Sequence, residues 1–230
     1  MKSTVNSGQL SDTVSLMEVA YQEIRKRILD NQWAPGYQAL ELEVALQLGM
    51  SRTPVREALI RLANEGLVEV IPRRGMRVLP VSPNDMREIY EILTALEGMA
   101  AELLAAQKPS AQTLEPLVAA TKRMDKALKA NDLDLWAAAD ENFHETLIKL
   151  AGNKMLAEAI WMYWDRAHRA RMFTLRLRPK PINSTKEHMA LLECLKAGDP
   201  LGAADVNRKH RQRANRELLA IFEQYHLHQM

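Results

Sequence analysis

Gly49-Met50-Ser51-Arg52-Thr53-Pro54-Val55-Arg56-Glu57-Ala58-Leu59-Ile60-Arg61-Leu62 is the stretch on which the reading of the N-terminal third turns. Ser51 or Thr53 can cap a helix whose first turn tolerates Pro54. Val55, Ala58, Leu59 and Leu62 then recur at helical spacing. The helix ends near Gly66. Upstream, Glu41 to Leu48 is a short helix, with Gly49 as its C-terminal cap. Before it, the turn Trp33-Ala34-Pro35-Gly36 closes an earlier helix carrying Leu16, Val19, Ala20, Ile24 and Ile28. Downstream, the period falls to two. Leu67-Val68-Glu69-Val70-Ile71 and Met76-Arg77-Val78-Leu79 read as strands joined by Pro72-Arg73-Arg74-Gly75. Three helices followed by a two-stranded ribbon form a winged helix-turn-helix, placed over residues 15–81.

Residues 1–14 are polar and aperiodic and read as a flexible tail. Residues 82–88 read as a linker. Beyond them Ala, Leu, Met and Glu dominate and strand signals cease. Six helices are expected: 84–107, 111–130, 133–150, 154–177, 183–197 and 201–225. Short links between amphipathic helices predict an antiparallel bundle over residues 89–230. The expected fold class is mostly α, a winged helix-turn-helix followed by an all-helical bundle.

The 230 residues are 47% apolar and 26% charged, a globular composition, and no apolar run is long enough for a bilayer. Cys194 stands alone, so no internal disulfide forms. The polar N-terminus lacks a secretory h-region, and a cytoplasmic location is expected. With 31 Lys and Arg against 29 Asp and Glu the net charge is +2, so any nucleic-acid surface must come from local clustering.

Such clustering is present. Residues 51–61 carry Arg52, Arg56 and Arg61 against one acid, and residues 72–77 carry Arg73, Arg74 and Arg77 against none. Arg52 and Arg56, four apart, share one face of a helix start, where free N–H groups and the helix dipole favour phosphate. Ser51 and Thr53 offer hydroxyls to the same backbone. Arg73 and Arg74 would sit at the wing tip, along the backbone or in the minor groove. An arginine pair alone is more often a solvated face, and two basic clusters bracketing one helix–ribbon unit favour DNA.

These motifs, from Trp33-Ala34-Pro35-Gly36 through Ser51-Arg52-Thr53-Pro54-Val55-Arg56-Glu57-Ala58-Leu59, Glu65-Gly66-Leu67-Val68 and Pro72-Arg73-Arg74-Gly75, closely resemble the DNA-binding domain of the GntR family of bacterial transcription regulators. The resemblance implies DNA contacts by Ser51, Arg52, Thr53 and Arg56, with Gly75 at the wing tip. Leu42 departs from relatives that carry a DNA-contacting Arg there.

In the bundle, Asp140 and His144 lie four apart on one helix, and His188 and His210 lie on two later ones. A carboxylate and imidazoles from three helices can converge on Zn, Ni, Mn or Fe. A His on an apolar face is also commonly a hydrogen-bonded core residue. His168, His226 and His228 read as solvated, and Glu141 and Glu145 as pointing away from the ligands. Tyr90-Glu91, Ala95-Leu96-Glu97, Asp140 with Phe143-His144, Leu150-Ala151-Gly152-Asn153 and Glu187-His188 resemble the FCD domain of the FadR subfamily. That resemblance implies a divalent metal (Zn, Ni or Mn) held by Asp140, His144, His188 and His210, a homodimer, and a small carboxylate or sugar-acid effector. Leu93, followed by Thr94, stands where many relatives place a pocket Arg. Thr94, Arg166, Arg169 and Arg171 are the candidates to meet the effector, with a solvated basic face as the ordinary alternative for the arginines.

The expected function is a metabolite-responsive DNA-binding regulator, a repressor bound as a dimer to an inverted-repeat operator of double-stranded DNA, with no membrane partner and no catalytic residue. The competing reading is a metal-dependent enzyme built on the Asp/His cluster, against which no H-E-x-x-H motif or Gly-rich phosphate loop is found. A purely structural helical dimer would leave the arginine-rich unit unexplained.

Overall fold

A computed structural model describes residues 15–229, so the tail expected over residues 1–14 lies outside the described residues. The chain divides into two units between Leu79 and Pro80.

In the first unit, α1 (Leu16–Leu29), α2 (Glu41–Leu48) and α3 (Arg52–Asn64) surround a core of Ile24, Ile28, Val44, Val55, Leu59, Leu62, Leu67 and Met76. The Ser15 hydroxyl caps α1 by accepting from the Glu18 N–H at 3.1 Å. α2 starts without a side-chain acceptor, but Glu43 reaches back to the Leu40 N–H at 2.8 Å. It ends at Gly49, whose φ of 64° is the left-handed cap expected there. The sheet has three strands rather than the two expected. β2 (Val68–Ile71) pairs antiparallel with β3 (Gly75–Val78), and β1 (Gln38–Ala39) pairs with the other edge of β3. Two residues are too few to show alternation, which is why β1 left no sequence signal. Its consequence falls on Gly75. At φ +84° a Cβ there would lie 2.0 Å from the Ala39 carbonyl oxygen, so the residue is demanded by strand approach as well as by the turn.

In the second unit, α4 (Pro83–Ala106) packs along α9 (Pro200–Gln224), and α5 (Ala111–Lys129) packs along α6 (Leu133–Leu150). α7 (Lys154–Thr174) lies on α4, and α8 (Ile182–Ala197) contacts α5 and α9. Side chains of Ser82, Ser110, Asp132, Asn153 and Asp199 each accept from the backbone N–H three residues on, placing the helix starts. The expected linker 82–88 is instead the beginning of α4. Ser82 and Asp85 form a reciprocal capping box, Pro83 occupies the first turn, and Met86 is buried. Val81 is already part of this unit's core, with Tyr90, Leu93, Ile160 and Trp164. Among the described residues no helix is long and apolar enough to cross a membrane.

Candidate functional site

The first candidate surface is the start of α3. Ser51 occupies its N-cap position with an extended backbone, yet its hydroxyl makes no capping bond, so neither it nor the helix terminus is closed off by the other. Arg52 and Arg56 are 64% and 68% exposed, and both turn toward one acid on α2. Arg52 Nη2 lies 3.3 Å from Glu41 Oε2, and Arg56 Nε lies 3.9 Å from Glu41 Oε1. Thr53 is exposed beside them. Arg73 and Arg74 are exposed in the loop between β2 and β3, where Arg73 adopts φ +64° and the Arg74 carbonyl accepts from Gln38. Arg61 does not join this surface. Its guanidinium binds Glu18 at 2.7 Å and Glu65 at 3.2 Å and lies 3.6 Å from the Tyr21 ring centroid, fastening α3 to α1. One and a half turns beyond Arg56, the helix has rotated it onto the α1 side.

The second candidate site lies inside the helical unit. Asp140 and His144 come from α6, His188 from α8 and His210 from α9, all buried. Ligand nitrogens of the three histidines lie within 4.8 Å of one another, and His144 Nε2 and His188 Nε2 are 3.2 Å apart. Asp140 Oδ1 is 3.9 Å from His144 Nε2 and 3.8 Å from His188 Nδ1. Burial holds the His144 imidazole well below its usual pKa, with the Arg211 charge adding and Asp140 opposing. His188 is lowered likewise by burial and by the charges of His210 and Arg211. Neutral rings present the lone pairs a cation needs.

Acids stand behind the rings. Glu187 Oε2 is 2.8 Å from His210 Nδ1, and Arg213 clasps the same carboxylate through two nitrogens at 2.7 and 2.6 Å. Burial works to raise the Glu187 pKa, but the bonds from His210 and Arg213 outweigh it and bring it to about 2. Glu97 Oε2 is 3.1 Å from His144 Nδ1, off the line of a hydrogen bond, and is gripped by the buried Arg211 at 2.9 Å. Such partners orient metal-binding imidazoles. The sequence offered a trace of Glu187, next to His188, but none of the Glu97–Arg211 pair.

A narrow cleft, part of it open to solvent, adjoins the cluster and is lined by Asp140, His144 and His210. The expectations for Glu141 and His168 are corrected here. Glu141 faces this cleft, accepting from Trp164 Nε1 at 3.4 Å and lying 2.9 Å from His168 Nδ1, so His168 is a half-buried partner rather than a solvated side chain. The cleft runs between α6 and α7, which brings the residue after Asp140 onto it. Burial works to raise the Glu141 pKa, and the hydrogen bond and charge of His168 bring it instead to about 2. Thr94, Arg166 and Arg169 do not line the cleft. Thr94 bonds the Tyr90 carbonyl within its own helix, Arg166 is 3.2 Å from Asp85, and Arg169 is pulled below its usual pKa by burial elsewhere on α7. The cations that do line it are Arg171, Arg178 and Arg211. Leu93 is buried in the apolar core.

Residues 16–78 match the bacterial regulatory proteins of the gntR family, and residues 88–213 match the FCD domain. An HTH-type transcriptional regulator in the TAR-I ttuE-ttuC' intergenic region of Agrobacterium vitis is 48% identical over 147 residues, which span 63% of this chain and 86% of the relative. The probable D-xylose utilization operon transcriptional repressor of Paenarthrobacter nicotinovorans is 32% identical over 168 residues, 72% of each chain. Among solved structures, McbR/YncC of E. coli aligns at a TM-score of 0.75 with 25% identity, covering 93% of this chain and 100% of that one. With these two domain matches in this order over most of the chain, it belongs to the gntR family of bacterial regulatory proteins, carries an FCD domain, and is a DNA-binding transcription regulator.

Proposed function

We propose that the chain is a metabolite-responsive repressor which binds an inverted-repeat operator as a homodimer, and whose helical unit holds a divalent ion and a small carboxylate effector. The observation that carries the effector half is the cluster of His144, His188 and His210, with Asp140 Oδ1 within 4 Å of two of the rings, beside a cleft. The donor set fits a metal. Nitrogens bound at about 2.0–2.1 Å to one ion stand about 2.9–3.4 Å apart in octahedral or tetrahedral geometry, and His144 and His188 are already at 3.2 Å. A bound Zn, Ni or Mn ion would supply a Lewis acid to which an effector carboxylate adds. Arg52, Arg56, Ser51 and Thr53 read the operator, Arg73 and Arg74 with Gly75 follow the adjacent groove or backbone, and Arg61 supports the helix from behind. The effector acts by its differential affinity for DNA-competent and DNA-incompetent arrangements.

The test combines metal analysis of the purified chain with selection of genomic fragments. Stoichiometric metal lost in His188→Ala, and a palindromic fragment bound by two chains with steep salt dependence, are the expected results. Absence of metal from a folded, metal-supplied chain refutes the ion. A salt-independent or one-chain complex refutes the operator reading.

A further inference from the structure

The cations of the cleft are unevenly matched. Arg211 is paired with Glu97, and Arg213 nearby with Glu187 and Glu217. Arg171 and Arg178 line the cleft with no ion pair to any carboxylate among the described residues. The Arg171 guanidinium lies 5.0 Å from the Trp164 ring centroid. Arg178 donates from Nη2 to the Arg171 carbonyl at 3.0 Å, while its Nε is buried without a partner. Tyr90, 0% exposed on α4, also lines the cleft, and its hydroxyl has no partner either. The three groups act on one another. Burial lowers the Arg178 pKa and the like charge of Arg171 adds to the shift, while Tyr90 and the more distant carboxylates of Asp140 and Glu217 oppose it. The acid next to them, Glu141, is bonded by His168 and Trp164 and feels the Arg171 charge without forming an ion pair with it. The Arg178 Nε and the Tyr90 hydroxyl, buried donors without an acceptor among the described residues, stand beside a second guanidinium that no carboxylate pairs, and together they are the complement of an anion. The planar fork of guanidinium fits a carboxylate through two parallel bonds.

We propose that Arg171 and Arg178, with the Tyr90 hydroxyl, hold the second carboxylate of a small dicarboxylate whose other end faces the histidine cluster. This rests on the reading of the cleft as the effector site and names the ligand class. A monocarboxylate directed to the histidines leaves the Arg178 Nε and the Tyr90 hydroxyl without an acceptor. A neutral sugar brings no charge to either guanidinium. A dicarboxylate answers both ends of one cleft.

Calorimetry of the full chain loaded with zinc tests this. Malonate, succinate, malate and glutarate are each compared with propionate, butyrate, 2-hydroxybutyrate and valerate, their counterparts with one carboxylate replaced by methyl, and with inorganic phosphate. At least one dicarboxylate is expected to bind about tenfold or more tightly than its counterpart. Arg178→Gln and Arg171→Gln are expected to reduce that ratio below about threefold with zinc content unchanged. Arg178→Lys, which keeps the charge but not the fork, lowers the ratio in a chain that still unfolds at the wild-type temperature. No dicarboxylate preference, a preference that survives in both Gln variants, or phosphate binding as tightly as the best dicarboxylate overturns the inference. Zinc retained without the preference refutes this inference alone. The preference persisting in a chain that holds no zinc refutes the metal reading alone.

Discussion

Replacing Arg211 with Met measures what the buried pair contributes. Arg211 and Glu97 are 1% and 0% exposed and are joined through Nε and Nη2 to the same carboxylate oxygen, at 2.9 and 2.5 Å. The other oxygen, Glu97 Oε1, has no hydrogen-bond partner among the described residues, and His144 Nδ1, 3.1 Å from Oε2, is off the line of a bond. Met retains much of the side-chain volume, which keeps the cavity contribution small and leaves an uncompensated carboxylate as the main loss. Breaking one side of a buried pair costs about 3–5 kcal/mol. At about 2–4 °C per kcal/mol for a unit of this size, the transition of the helical unit should fall by roughly 6–20 °C. The assay is urea and thermal unfolding of the chain in chelator, followed by circular dichroism and tryptophan fluorescence, so that no metal contributes to either state. Glu97→Leu combined with Arg211→Met replaces the pair by apolar groups and should regain most of the loss. If the single variant falls within about 1 kcal/mol of wild type, or the double variant is no better than the single, the reasoning about desolvated charge fails.

Other predictions concern the remaining sites. Arg52→Ala and Arg56→Ala should each weaken operator binding by about 1–3 kcal/mol while leaving the unfolding temperature unchanged, by fluorescence anisotropy and calorimetry. Arg61→Ala should do the opposite, costing about 1 kcal/mol of stability through Glu18 and Glu65 with little direct effect on affinity, and equal affinity losses at all three positions would contradict the placement of Arg61. Gly75→Ala should destabilise the first unit by more than the ~1–2 kcal/mol of a left-handed alanine, because its Cβ meets the Ala39 carbonyl, and amide exchange should show β1 detached from β3. Glu187→Gln should weaken zinc binding about 10–100-fold by releasing His210 Nδ1, and a variant with unaltered zinc affinity would show that the carboxylate serves only Arg213.

Much of the fold could be read from neighbours in the chain. α6 runs from Leu133 to Leu150 as its spacing predicts, because Asp132 caps it and Gly152, at φ 74°, follows its end. The helix pair α2–α3 was legible for the same reason, with Gly49 ending one helix and Ser51 opening the next. Asp140 and His144 share a face of one helix, so half of the histidine cluster was also local information. β1 escaped because two residues carry no period.

Residue order by itself determined most helix starts and stops, the ribbon, the basic clusters and the pairing of Asp140 with His144 on one helix face, since caps, turns and periodicity act across a few residues. Tertiary structure alone decided which side chains those elements turn toward one another. Glu97 and Arg211 are 114 residues apart, and only the packing of α4 on α9 makes them a pair. Likewise the packing of α3 on α1 sends Arg61 to Glu18, that of α7 on α4 sends Arg166 to Asp85, and the fold of the helical unit brings Arg171 and Arg178 to the cleft. A charged side chain is assigned its partner by the rotation of its helix and the identity of the helix beside it, and neither is written within a few residues of its own position.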